Sequence, residues 1–225
     1  MVKKVLDDFF SCSFESEINK KMMYRNYEFE LSKVLFYVKQ LLEIDFDDFI
    51  QYIISNYNVH YLTSEDVLQY SDFTDATVNI CKSLKMFGDN GYRFLEIGKM
   101  LQNDGVIRND MAYRKYGENH SKTAENIGLL QKIEYTYYLS CLGYVLEYLT
   151  DLELTDLINR LILRNRLVQR LIYRSVNNGE SSYSFECGFL KEKTAIRRKS
   201  NIRKLVQKVE RSTEKFKPYI EKIKF

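Results

Sequence analysis

The chain of 225 residues contains one proline, Pro218, and only nine glycines, so long stretches run without a residue that breaks a helix. Four cysteines, Cys12, Cys81, Cys141 and Cys187, stand far apart with no C-x-x-C pair. That spacing reads as buried thiols, and excludes a zinc ribbon or a disulfide framework. His60 and His120 are the only histidines, too few and too isolated for an ordinary zinc site. No apolar run approaches the roughly 18 residues that span a bilayer. The opening MVKKVLDDFF turns acidic where a signal peptide is apolar. The expectation is a cytoplasmic protein without membrane contact, metal or other cofactor.

Catalytic signatures are equally scarce. There is no glycine-rich phosphate loop and no G-x-S-x-G elbow. A metal-dependent nuclease needs clustered carboxylates beside a lysine, and Asp72, Glu96 and Lys99 are the nearest imitation. Glu96 and Lys99 lie three apart on an amphipathic pattern, where a surface ion pair is the commoner use. His120-Ser121-Lys122 has the letters of a histidine nucleophile but no matching aspartate. No enzyme is expected.

What the chain does hold is an uneven distribution of charge. Residues 191–225 carry 13 Lys/Arg and 4 Asp/Glu, or +9, which leaves 21 and 27, or −6, for residues 1–190. Such asymmetry suggests a polyanion-binding tail on a near-neutral body. Its centre is Lys191–Arg211, KEKTAIRRKSNIRKLVQKVER. Ile202, Leu205, Val206 and Val209 recur at i, i+3, i+4 and i+7, one helical stripe. Thr194 is the candidate N-cap, and Arg197, Arg198, Lys199, Arg203, Lys204 and Lys208 fill the other faces. A cap, an Arg-Arg pair and an anchored helix make the pattern of a DNA-recognition helix; a solvated helix face is the bland alternative.

Apolar periodicity predicts a mainly α fold with short β wings. A helical N-terminal segment over residues 1–72 holds helices at Tyr27–Leu42, Phe46–Tyr57 and Val67–Tyr70, the last capped by Ser64. The first of these buries Leu31, Leu35, Val38 and Leu42, and the second Phe46, Phe49, Ile50, Ile53 and Ile54. In a second block, 73–150, a helix over Thr74–Phe87 turns Val78, Cys81, Leu84 and Phe87 inward and ends at Gly88–Gly91. Tyr92–Leu101 follows, then a helix starting at Asp110 and broken at Gly117, then one over His120–Leu130 with Ser121 as cap. Lys132–Leu139 alternates as a wing strand, and a last helix covers Tyr144–Leu149. Helix, helix, recognition helix, strand and closing helix is the winged-helix order. The third block, 151–225, has helices at Leu154–Asn165 and Leu167–Val176, a break at Asn177–Gly179, an ambiguous Ser181–Leu190, the cationic helix and an amphipathic tail. It reads as a helix-turn-helix unit without a visible wing.

Two groups of phrases carry a family likeness. FLEIGKML, YRKYGENHSKTAENIGLL and YYLSCLGYVLEYL resemble winged-helix modules of bacterial defence and DNA-processing proteins. LINRLILRNRLVQRLI with KTAIRRKSNIRKLV resembles a module of restriction-type nucleases and related regulators. The resemblance implies tandem DNA-recognition units over residues 74–210, without the catalytic domain of a full-length restriction nuclease. In the first unit it places Ser121, Lys122, Thr123 and Asn126 in the groove, with Arg114, Lys115 and His120 at phosphates. In the second, Arg197, Arg198, Lys199 and Asn201 meet base edges or backbone beside Arg203 and Lys204. Arginine pairs with guanine and asparagine with adenine, so both chemistries of direct readout are present.

The expected function is therefore double-stranded DNA binding, as the specificity component of a restriction or defence system. A nuclease or other defence subunit would be its partner, and the N-terminal helices a homodimer contact. A transcriptional regulator, or a scaffold subunit without nucleic acid, are the alternatives. Acidic caps on the cationic helix from residues 1–70 would favour the scaffold.

Overall fold

The computed structural model of the chain describes residues 2–10, 27–58, 61–67, 69, 78–86 and 91–225. Among these residues helices dominate, with one two-stranded antiparallel sheet and one short parallel strand pair. They divide into two compact units. The first gathers Met1–Leu6, Gln40–Gln69 and Leu152–Phe225, and the second Asp7–Lys39 and Tyr70–Asp151. The consecutive blocks 1–72, 73–150 and 151–225 are thus not the folding units: residues 40–69 share a core with the last block.

Helix α1 (Val2–Phe10), which the sequence reading passed over, buries Val5, Leu6 and Phe9. Helix α2 (Tyr27–Leu42) has the bounds expected of it but a shifted register. Val34, Val38 and Leu41 are its buried residues, while Leu31, Leu35 and Leu42 are half-buried. The apolar surface of this helix is broad, so several i, i+3, i+4 lines cross it and spacing alone does not select the central one.

In the first unit, α3 (Phe46–Ser55) starts at Asp45, whose carboxylate accepts from Asp47 N at 2.8 Å. Phe46, Phe49, Ile50 and Ile53 are buried, as the periodicity predicts, but Ile54 is half-buried and the helix stops at Ser55 rather than Tyr57. The short helix expected over 67–70 is not supported: Val67 lies in a bend and Gln69 is irregular, and Leu68 and Tyr70 lie outside the described residues. Ser64 sits in a turn that Asp66 closes by accepting from Thr63 N at 2.7 Å.

Helices α8 (Asp151–Leu163) and α9 (Arg166–Asn177) overlap the two expected helices, but α8 lies two to three residues earlier than its pattern, because Asn165 caps α9 instead, accepting from Val168 N. Arg160 of α8 is 1 % exposed. It donates to Ile44 O at 2.6 Å and to Asp156, and its guanidinium lies 4.9 Å from the Phe49 ring. Phe216 meets Phe46 edge-on, so the chain after residue 212 completes the core that α3 begins.

The ambiguous stretch 181–190 resolves into β3 (Ser181–Ser182) and one helical turn, α10 (Tyr183–Glu186). The cationic helix is α11 (Glu192–Ser212). A 3₁₀ turn, α12 (Lys217–Ile220) with Pro218 in its first turn, and β4 (Ile223–Lys224) follow. β4 pairs with β3 in parallel, Ser181 opposite Ile223. The first unit therefore has no antiparallel wing among its described residues. A parallel pair needs a long crossover, and α10 through α12 supply it.

In the second unit, α4 (Ile80–Met86) buries Ile80, Cys81 and Leu84, with Val78 half-buried. Residues 74–77, Phe87 and 88–90 of the expected helix and break lie outside the described residues. Helix α5 (Phe94–Leu101) precedes α6 (Asp110–Asn126), which Asn109 caps by accepting from Ala112 N at 2.8 Å. Gly117 was expected to break this segment, yet α6 runs through it without interruption. A Cβ on Gly117 would stand 1.9 Å from Phe94 O, and one on Gly98 would stand 1.9 Å from Tyr113 O. The two glycines let the backbones of α5 and α6 touch, and packing overrides the glycine's poor helix propensity. Ser121 is consequently mid-helix, not a cap.

The expected single strand 132–139 is a hairpin, β1 (Leu130–Ile133) with β2 (Thr136–Leu139), Leu130 opposite Leu139. Its turn is Glu134-Tyr135, with Glu134 at φ +54°. Alternation runs unbroken through a turn that holds neither glycine nor asparagine, so the pattern alone does not reveal it. Tyr92 forms an isolated bridge to Tyr137. Helix α7 (Cys141–Val145) begins three residues before the expected Tyr144. Ser140 caps it, accepting from Gly143 N at 3.0 Å and donating to Gly128 O at 2.7 Å. Cys81, Cys141 and Cys187 are buried thiols outside any disulfide, as expected; Cys12 lies outside the described residues. Burial pushes the Cys187 thiol up to about 11.

Candidate nucleic-acid interface

Helix α11 has two opposed faces. Ile202, Leu205, Val206 and Val209 are at most 1 % exposed and hold the helix to the first unit. Opposite them Lys193, Arg197, Ser200, Lys204, Lys208 and Arg211 recur at steps of three and four residues. At a rise of 1.5 Å per residue, the stripe is about 27 Å long. Arg203 is exposed on one flank; Lys199 and Asn201 are half-buried at the sides. Within α11 the acids are Glu192 and Glu210 alone. Among the described residues Lys193, Arg197, Lys199, Arg203, Lys204 and Arg211 pair with no carboxylate.

Two parts of the expected constellation change. Thr194 is not the N-cap. Lys191 occupies that position, and Thr194 is the third helical residue, its N–H donating to Lys191 O at 2.8 Å. The helix starts earlier because Glu192 and Lys193 are good helix formers, so Arg197 and Arg198 belong to the second turn. Arg198 does not face outward. Its Nη1 donates to Ser64 O at 2.8 Å and to Val67 O at 2.5 Å. It lies on the seam side of the helix, where carbonyls of the 61–67 segment take up its charge. Adjacent arginines point about 100° apart on a helix, and the Arg-Arg pair is split into one outward and one structural residue.

Elsewhere in the first unit, several cations are consumed locally. Arg170 and Arg174 both clamp Glu186, at 2.5 and 2.9 Å, a carboxylate buried to 5 % exposure. Lys215 pairs with Asp45, whose carboxyl that hydrogen bond holds below the usual range.

The second unit presents α6. His120, Ser121 and Thr123, expected at phosphates or in the groove, are 3 %, 0 % and 2 % exposed. They line the face on which α6 packs and cannot meet a ligand there. The outward stripe is Met111, Lys115, Glu118, Lys122 and Asn126, with Arg114 beside it. Arg114 and Lys115 are exposed and, among the described residues, pair with no carboxylate, whereas Lys122 pairs with Glu118. Periodicity would have separated these sets had Gly117 been read as helical, because buried and outward residues then fall on opposite sides.

Glu96 and Lys99, two of the three residues that imitate a nuclease centre, have local partners. Glu96 accepts from Arg93 N at 2.6 Å and so closes the start of α5, while Lys99 pairs with Asp110. Asp72 and His60 lie outside the described residues. Among the described residues no group of three His, Cys, Asp or Glu side chains is placed to hold a metal, and no helix is long and apolar enough to cross a membrane. Sequence reasoning missed Lys193 and Arg211 as ends of the α11 stripe, although their spacing from Arg197 and Lys204 signals it. It also missed the exposed Ile107 and Met111 ahead of and within the first turn of α6. Comparison with known proteins adds no relative: no family model, curated protein or solved structure matches this chain.

Proposed function

We propose that this protein binds double-stranded DNA, with the outward stripe of α11 laid along the phosphate backbone. The observation that carries the reading is the row Lys193, Arg197, Lys204 and Arg211 opposite a fully buried seam, four cations that pair with no carboxylate among the described residues. A stripe so long and so uniformly charged costs self-repulsion that a polyanion relieves. Acidic caps from residues 1–70 were the mark of a scaffold. Among the described residues, the segment 61–67 meets Arg198 of α11 through the Ser64 and Val67 carbonyls rather than through a carboxylate, which favours the nucleic-acid reading.

The second unit supports it. Its order is α4, a bridging residue Tyr92, α5, α6, then the hairpin β1–β2 to which Tyr92 pairs. We read this as a winged helix in which α6 is the recognition helix. Arg114 and Lys115 serve phosphates, and Lys122 and Asn126 lie farther along the outward face. The likeness to restriction-type recognition modules gives the protein its role as a target-recognition component, with a nuclease or other defence subunit as partner.

Salt titration of duplex binding tests the reading. Neutralising about 4–6 phosphates gives a slope of log K against log salt near −4 to −5. The Arg197→Ala, Lys204→Ala double variant is expected to bring that slope about two units nearer zero. A flat titration for the wild type overturns the proposal.

A further inference from the structure

At the α5–α6 corner, Val106, Ile107 and Met111 are 56 %, 95 % and 80 % exposed. Three apolar side chains in water usually belong to a loose loop, but this one is pinned. Arg108 donates to both Asp104 oxygens, at 2.7 and 2.6 Å. Val106 O accepts from Arg108 Nη1 at 3.1 Å and from the Tyr113 hydroxyl at 3.0 Å. Asn109 caps the helix that follows. None of these bonds uses the apolar side chains, so the corner is fixed while its apolar groups stay unburied.

The surroundings restrict what can cover them. The acids nearby are paired: Asp104 with Arg108, Asp110 with Lys99, Glu118 with Lys122. Arg114 and Lys115, one turn on, carry charge with no carboxylate partner among the described residues. A complementary ligand is anionic at its edges and apolar in its interior. The major groove of duplex DNA has that character where thymines supply C5-methyl groups between two phosphate walls. The first turn of a recognition helix is also the part that goes deepest into the groove.

We propose that Ile107 and Met111 read thymine methyl groups, which makes this corner a determinant of target sequence. The inference rests on the duplex-binding reading above. Charge draws the protein to any duplex, and the apolar corner prefers those with thymine at one or two fixed positions.

The experiment uses the full chain and a randomised duplex pool. Enriched duplexes are remade with deoxyuridine in place of thymidine, one position at a time, which removes the methyl and leaves phosphates and base pairing unchanged. Affinity is expected to fall about fourfold at one or two positions, the effect of losing one buried methyl group. Met111→Ala and Ile107→Ala should erase that difference while keeping the wild-type salt slope, and unchanged melting of the variants excludes misfolding. Uniform tolerance of deoxyuridine, or alanine variants with full thymine discrimination, overturns the inference and leaves duplex binding standing. A flat salt titration overturns both, and leaves an acidic-rimmed protein as the occupant of the corner.

Discussion

Helices α11 and α6 solve the same problem in opposite ways. Each holds one face to its unit and leaves the other exposed. α11 is anchored by four aliphatic side chains, Ile202, Leu205, Val206 and Val209, and its outer face is almost purely cationic. α6 is anchored by Gly117, His120, Ser121, Thr123 and Ala124, small or polar residues that draw its backbone against α5, and its outer face mixes apolar groups with charge of both signs. An aliphatic seam tolerates a crowded cationic surface because burial supplies the stability. A glycine crossing gives precise placement with little burial to spare, which suits a helix whose task is to position a few side chains.

The largest test of that contrast is Gly117→Ala. The new Cβ would meet Phe94 O at 1.9 Å and Gly98 N at 2.7 Å, both backbone atoms. The expected loss exceeds about 3 kcal/mol, beyond ordinary overpacking, read as loss of the second unit's denaturant transition. A mild effect would mean that the helices slide apart easily and that the crossing does not fix α6.

Next in size is Arg198→Ala against Arg197→Ala. Removing Arg198 leaves the Ser64 and Val67 carbonyls without their charged donor, at a cost of about 1.5–3 kcal/mol, with no change in the salt slope of DNA binding. Arg197→Ala is expected to leave the melting temperature unchanged and bring the slope about one unit nearer zero. Equal effects of the two variants on the slope would put Arg198 back on the outer face.

The smallest effect concerns acid. The Arg108 hydrogen bond holds the Asp104 carboxyl well below the usual carboxylate range. A depressed folded-state value stabilises the corner above the unfolded carboxylate value, and that contribution is lost only as the pH falls below it. Methyl resonances of Val106 and Ile107 are therefore expected to stay put through about pH 4, where free carboxylates titrate, and to shift at neutral pH in Asp104→Asn. Movement of these signals at the ordinary carboxylate pH would show the corner to be unlatched.

Much of this was legible in the residues, and the main exceptions depend on contacts far along the chain. The seam of α11, the bounds of α2 and the buried face of α3 follow from apolar spacing, a local property. Gly117 and Arg198 differ from the sequence reading because their roles are set by distant partners, the Phe94 carbonyl and the 61–67 segment, whereas Thr194 differs for a local reason, a helix that starts at Glu192 without a side-chain cap. A lone glycine in a polar helix looks like a break until a second helix is placed against it. An arginine beside another looks like its twin until each is turned to its own side. The site was legible as charge, but which cations are free depends on contacts more than 100 residues apart in sequence.

The parallel pairing of β3 with β4 and the contact of Phe216 with Phe46 bear on how the protein is made. The core of the first unit draws on Gln40–Gln69 and on Leu152–Phe225, with most of the second unit's sequence between them. On the ribosome, Phe46, Phe49, Ile50 and Ile53 of α3 emerge long before the residues that cover them. At about 5–20 residues per second, that apolar face waits on the order of ten seconds for Phe216 and Ile223, while α4 to α7 already have their partners. The first unit is thus the later of the two to close its core, and the charge of α11 is made only after the whole of the second unit's sequence.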